Sequence, residues 1–510
     1  MELKEAVMLL EKDIQDKNIA DVEITLRYLK KQYANEAELE ELLAKMAEEI
    51  YLSAQMLLYG FLIDITGNSK YVLRLIEIAR HAELPDEVYY FIYNQLKAYG
   101  FWGKYEGDKE LNAAQFELLK DCVDGFRSSL TENLSYIPQE QRDKNLVIVI
   151  TSQFLFGGHA PTKTALGRCV ALMKMGKRVL LINTAEHMPR AGDICFWDKR
   201  IGNYQERLLD AEYVEWDGYK IPFFQCDNNM PNVETIDYLL TVIRRLRPYI
   251  IVQIASESVL ASLANDMVPV LSVGTVFSEL GNCLTAYQTL GRRLTEEDVQ
   301  FLEVMGRSVQ DVIEHRFTTE LVKQERVFTR QEFGLKDSDF VLLLMGMRLN
   351  DEVTDELLQM LEEVRRQTEI CVMLVGKFAR MQEVVDNYPE LAKKMYFMGM
   401  QTDVMAYIEL CDLYVNPRRT GGGMSCVEAM SKGLPVVTMP NCDVAVNAGE
   451  DFYTENYETM VQLIIKYKED ENFYKVQSEK ARERAVELTD TDAEFGKVIK
   501  EFCRREGLEF

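Results

Sequence analysis

Leu146, Val147, Ile148, Val149 and Ile150 form an unbroken apolar and largely β-branched run, the signature of a strand covered on both faces. Similar runs recur at 178–182, 221–225, 249–254 and 268–273, with helical stretches between them, the first at 164–175. A second series begins beyond about residue 316, with expected strands at 340–345, 370–375, 394–398, 413–416 and 435–439. Its intervening helices include 353–366, where Val353, Leu357, Leu358, Leu361 and Val364 line one side. Alternation of strand and helix implies parallel pairing, because a parallel neighbour is reached only through a crossover. The expected fold is α/β, with two doubly wound Rossmann-like domains and a cleft between the carboxyl ends of their strands.

The residues ahead of these series have a different texture. Ala6, Val7, Leu10 and Ile14 repeat at helical spacing, as do Val72, Leu75, Ile76 and Ala79, and later Val88, Phe91, Ile92 and Leu96. A polar stretch at 135–145 holding Pro138 marks a boundary. The expected organisation is an all-helical domain at 1–140 for acceptor or partner recognition, an α/β lobe at 145–315 and a second at 316–485. A terminal helix within 486–510 could brace the lobes. The aromatics Tyr89, Tyr90, Phe91, Tyr93, Phe101 and Trp102 read first as core and second as a docking surface.

A formal net charge of −25 over 510 residues repels nucleic acid and anionic membrane, which excludes a general polyanion binder. It does not bar a single phosphate compound held by a few Arg and Lys side chains and helix-start amides. The ten Cys include no C-x-x-C spacing and read as small buried hydrophobes of a reducing compartment. The apolar stretch 50–63 contains Ser53 and Gln55 and is shorter than the roughly 18 residues of a membrane span. No signal peptide is read at Met1, so a cytoplasmic location is expected, with peripheral membrane association and oligomerisation left open.

Segment 414–438 carries the most chemistry. A strand ends at Asn416 and Pro417; Arg418, Arg419 and Thr420 lead into Gly421, Gly422 and Gly423; a helix starts near Met424 and Ser425. Glycines let a diphosphate approach the backbone, and the helix start adds free amides and positive dipole character. Glu428, about one and a half turns into the helix, can accept hydrogen bonds from a ribose diol, as acidic residues do in other nucleotide folds.

This segment resembles the nucleotide-sugar-binding region of GT-B glycosyltransferases of family 4, also called glycosyl transferases group 1. Their pattern is a Glu, a Gly-rich turn, then Glu-Ala-Met and Gly-x-Pro-Val. The resemblance covers 146 to about 480 and leaves the first 140 residues outside it. It extends to the turn holding Gly346, Arg348 and Leu349, similar to the family's Gly-Arg-Leu, which makes Arg348 a candidate diphosphate ligand. Lys377, at another strand end, is a candidate second cation. Gly399 and Met400 lie in a turn similar to the one whose backbone contacts the nucleotide base. Two positions depart from the pattern: Thr420 stands eight residues before Glu428, where the family has its first Glu, and the Lys that often follows Gly-Arg-Leu is missing, with Asp351 and Glu352 nearby.

On the acceptor side, residues 151–163 join the first strand of the α/β series to its first helix, again at a carboxyl strand end. Gly157 and Gly158 permit an unusual turn, and Pro161 pre-sets the helix entry. His159 is the candidate catalytic base, able to take a proton from an acceptor hydroxyl. Thr162 and Lys163 are candidates to hold phosphate there, and His187 is the reserve base, ranked with His315 below His159. No His/Glu pair spaced for zinc is visible and no D-x-D motif marks a metal-diphosphate site; the resemblance implies protein groups instead of a metal, so no cofactor is expected.

The expected function is a metal-independent glycosyltransferase of the hexosyltransferase type, using a nucleotide sugar, UDP-linked by expectation. The acceptor would be a protein or polysaccharide, as in bacterial-type glycan or glycoprotein biosynthesis. Two alternatives stand beside it: a non-catalytic glycosyltransferase-like subunit supporting an active partner, motivated by Thr420 and the helical domain, and a nucleotide-sugar epimerase.

Overall fold

In the computed structural model, strands β1 (Asp143–Thr151), β2 (Arg178–Asn183), β3 (Tyr213–Trp216), β4 (Tyr219–Gln225), β5 (Pro248–Ile254), β6 (Val270–Val273), β7 (Tyr287–Leu290) and β8 (Val312–Glu314) form one sheet. Their order is β3-β4-β2-β1-β5-β6-β7-β8, parallel throughout except for the β3–β4 hairpin. Strands β9 (Val341–Gly346), β10 (Cys371–Gly376), β11 (Met395–Gly399), β12 (Leu413–Val415) and β13 (Val436–Val437) form a second sheet, ordered β11-β10-β9-β12-β13 and wholly parallel. The structure describes all residues except Glu83, 156–158, 188–203, Asn228 and Ser256.

Every strand expected from an apolar run is present, with ends shifted by a few residues at most. Three strands were not expected. β3 alternates exposed and half-buried residues on a sheet edge, while β7 and β8 have four and three residues, too few to display a period. The helix expected at 164–175 starts earlier, as Ala160–Lys174, with Pro161 in its first turn where a missing N–H costs nothing. The helix expected at 353–366 is Asp355–Gln367, preceded by the short turn Leu349–Glu352.

Among the described residues seven α-helices precede β1: Leu3–Gln15, Ile19–Tyr33, Ala37–Glu49, Leu52–Thr66, Ser69–His81, Asp86–Phe101 and Lys109–Ser129. They share a continuous core with the first α/β lobe. Ile148 and Ile150 of β1 point to the face whose cluster includes Leu119 and Phe126 of the helical domain. Val147 and Val149 point the other way, to the cluster holding Leu166 and, from the last helix, Thr491–Arg505, Phe495, Ile499 and Phe502. The period of two along β1 therefore joins three parts of the chain, each buried aliphatic contributing about 1.5–3 kcal/mol. Helix Glu471–Thr489 carries Ala481, Ala485 and Leu488 into the core of the second lobe, and Thr491–Arg505 crosses to the first. Among the described residues no helix is long and apolar enough to cross a membrane.

Candidate functional site

In the second sheet the chain leaves β9 for β10 on one side and returns to β12 on the other. The order in which strands are added thus reverses between β9 and β12, and such a switch point opens a crevice beyond the carboxyl strand ends. Gly346, Gly376 and Gly399 end β9, β10 and β11 in a row that, with β12, spans three strand spacings, roughly 14 Å. The β9 and β10 ends are pinched together: a Cβ on Gly376, at φ +143°, would stand 1.8 Å from the Gly346 carbonyl oxygen. Lys377 follows, exposed and without an ion-pair partner among the described residues, and Gly399 and Met400 form an exposed turn at the far end.

Beyond β12 the chain folds over the side chain of Arg419, which is only 5% exposed. Its Nε donates to Asn416 Oδ1 at 2.8 Å, and its Nη1 donates to the Met345 carbonyl at 3.1 Å and to Glu352 Oε2 at 2.8 Å. Burial works against the charge, yet Tyr414 and Glu352 hold the guanidinium pKa above the ordinary arginine range. The other oxygen of Glu352 forms an ion pair with Arg348 Nη2 at 2.9 Å. One carboxylate therefore ties two guanidiniums together beneath the turn and leaves one unit of positive charge at the floor of the crevice.

The glycines above this pair differ in what surrounds them. Gly422, at φ +96°, caps helix Gly423–Ser431, and a Cβ there would meet Arg419 Nε at 2.6 Å. A Cβ on Gly423 would meet the Phe277 ring of the first lobe at 2.5 Å. Beside Gly421 the only neighbour within 4 Å of such a carbon, among the described residues, is Arg348 Nη2, at 3.4 Å. Of the three glycines, Gly421, with Arg348 next to it, thus obstructs an added carbon least. Ser425 Oγ donates to the Gly422 carbonyl, and Met424 packs partly against the first-lobe core.

Across the crevice, Lys163 Nζ donates to Glu428 Oε1 at 2.8 Å. Lys163 lies one turn beyond His159, which occupies the N-cap of helix Ala160–Lys174, so both belong to the end of that helix facing the second lobe. His159 Nδ1 lies 2.9 Å from Thr162 Oγ1, which also accepts from the Leu155 amide. Burial pulls the His159 pKa down to about 4, leaving a neutral imidazole at physiological pH. His187, whose amide donates to the Ser152 carbonyl, is pulled down to about 3 by burial, with Lys97 and His159 adding to the effect. His315 stands apart at the crossing between the lobes, its ring near Phe317. Gly157 and Gly158 lie outside the described residues.

Further residues join the lobes. Asp443 Oδ1 accepts from the Ser278 amide at 3.0 Å, and burial pushes that carboxyl up to about 7. Sequence reasoning gives no site role to Arg419, Glu352, Asp443 or Phe277. The arginine before a glycine turn was a usable signal; the pairing through Glu352, 67 positions earlier, was not.

Residues 339–470 match the family model described as glycosyl transferases group 1. No curated protein matches the chain. Among solved structures, a mutant O-GlcNAc transferase from Thermobaculum terrenum is similar over 98% of this chain and 97% of its own, with a TM-score of 0.57 and 12% identity. A glycosyltransferase from Rickettsia africae ESF-5 is similar over 71% of this chain and 99% of its own, with a TM-score of 0.54 and 13% identity. Anabaena HepE, solved in complex with UDP, is similar over 70% of this chain and 99% of its own, with a TM-score of 0.50 and 13% identity. At such identities the likeness is one of fold. The second lobe thus matches the glycosyl transferases group 1 model over residues 339–470, in a chain with the two-lobed GT-B fold preceded by a helical domain.

Proposed function

We propose that the chain is a glycosyltransferase that takes a sugar from a nucleotide donor bound in the crevice of the second lobe. One observation carries this reading: Arg348 and Arg419, joined by Glu352, lie under a glycine turn that enters a helix at the topological switch point. Departure of a nucleoside diphosphate places negative charge there. Arg348, the amides around Gly421 and Lys377 supply a preorganised positive field for it, in place of a metal. Glu428 holds the ribose once it shares or releases Lys163, and the base lies along the row toward Gly399 and Met400. A UDP-linked donor is supported by the UDP complex of Anabaena HepE, whose fold this chain shares.

His159 takes the proton of the acceptor hydroxyl. For Nε2 to accept it, Nδ1 must keep its own proton on Thr162 Oγ1, which makes Thr162 the residue that sets the tautomer. The acceptor is a protein or polysaccharide approaching along the helical domain. A second reading, a non-catalytic subunit, is favoured by Lys163 already occupying Glu428 and by Phe277 covering Gly423.

Thermal-shift measurements with UDP, GDP and their sugars test donor binding, since a ligand of the folded state raises Tm. UDP or a UDP sugar is expected to shift the melting point, and no shift with any of them overturns the reading. Binding without transfer to any acceptor would favour the subunit, and free sugar or epimer formed without acceptor would favour an epimerase.

A further inference from the structure

Helix Asp86–Phe101, with the residue that follows it, reaches both lobes. On the first lobe, Lys97 pairs with Glu257, just beyond the carboxyl end of β5, and Tyr93 OH accepts from Asn282 Nδ2 at 3.3 Å. On the second lobe, its last residue and the one after it meet the candidate diphosphate ligand. The guanidinium carbon of Arg348 stands 4.5 Å from the Phe101 ring centroid and 5.4 Å from that of Trp102.

We propose that Phe101 and Trp102 are positioning residues for Arg348, so that the helical domain completes the donor site of the second lobe. The proposal rests on the donor reading above. Arg348 has a long side chain whose rotamer freedom must be lost before its planar fork can grip a diphosphate. Glu352 fixes Nη2 from below, and the two rings hold the guanidinium by its face. With these contacts in place the fork is set beside the backbone of Gly421 before any ligand arrives, and ordering it costs the ligand nothing. Removing the rings returns that freedom to Arg348 without touching the glycine turn.

The test is UDP affinity, by calorimetry on the full chain, for Phe101→Leu/Trp102→Leu, which keeps both side chains apolar but removes the ring quadrupoles, and for Phe101→Tyr/Trp102→Phe, which keeps them. The leucine pair is expected to weaken UDP about 5- to 30-fold, and the aromatic pair to bind within about 2-fold of the parent. In an Arg348→Ala background the leucine pair should have no further effect, because the rings act only through that side chain. Equal losses in both backgrounds would show general loosening of the fold and overturn the proposal, as would wild-type affinity in the leucine pair. If the unaltered chain bound no nucleotide, the donor reading itself would fall, a different result from tight parental binding that ignores the rings.

Discussion

Lys163 and Glu428 form an ion pair of 2.8 Å between the first helix of one lobe and the glycine-capped helix of the other, each side chain only 6% exposed. Taking one partner from such a pair leaves a buried charge uncompensated, at a cost of about 3–5 kcal/mol. Lys163→Met is therefore expected to lower the urea midpoint strongly. The double variant Lys163→Met/Glu428→Gln should regain much of the loss, a coupling that a thermodynamic cycle reads directly. Additive losses would mean that the pair does not hold the lobes together. Glu428→Gln is also expected to weaken nucleotide affinity, whereas an unchanged affinity would remove Glu428 from the ribose site.

Gly422 and Gly421 predict different phenotypes. Gly422→Ala imposes φ +96° on a residue with a Cβ and drives that carbon to 2.6 Å from Arg419 Nε, so it should cost at least the roughly 1–2 kcal/mol of a left-handed alanine. Gly421→Ala meets only the tip of Arg348 and should leave the melting point within a few degrees of the parent. Its methyl enters the space a diphosphate needs, so UDP affinity should fall 10-fold or more, equivalent to about 1.4 kcal/mol. Tight UDP binding by the stable Gly421→Ala protein would place the diphosphate elsewhere.

Much of this architecture was legible because it is local. Leu146 to Ile150 announce a two-sided strand, and the glycine run with Glu428 announces a helix start suited to an anion. What escaped is long-range. Lys163 was weighed alone and meets Glu428, 265 positions away. The aromatics at the end of helix Asp86–Phe101 read as core, yet Phe101 stays 36% exposed and faces Arg348. Helical periodicity specifies which side is apolar but not which partner lies beyond it.

Glu186 gives a pH signature of the first lobe. It is fully buried, accepts from the Leu260 amide and Thr184 Oγ1 at 3.1 Å each, and burial pushes its pKa up to about 7. An unfolded glutamate titrates near 4.3, so between these values the folded chain holds the extra proton, and stability falls as pH rises through that window. Glu186→Gln stays neutral and keeps an acceptor for Leu260. Relative to the parent it should gain on the order of 3 kcal/mol between pH 4 and pH 7, read as urea midpoints at pH 5 and pH 8. Parallel curves would show that Glu186 is not the titrating group.

The base assigned to His159 fixes a rate profile. With its pKa near 4, the imidazole is already neutral at pH 6 and stays so at pH 9. A group that must be deprotonated to act is lost only when pH falls toward its own pKa, so kcat should be flat through 6.5 and decline toward pH 4. His159→Ala should reduce kcat about 10²- to 10⁴-fold with little change in nucleotide affinity. Thr162→Val removes the hydroxyl beside Nδ1 and frees the tautomer, so it should lower kcat by a smaller factor and leave the nucleotide Kd alone. Because Thr162 also accepts from the Leu155 amide, His159→Gln serves as the control that leaves that bond in place. Full activity in both His159 variants would move the proton acceptor elsewhere, and a rate that breaks near 6.5 in the parent would show an imidazole in contact with water instead of one stripped of it.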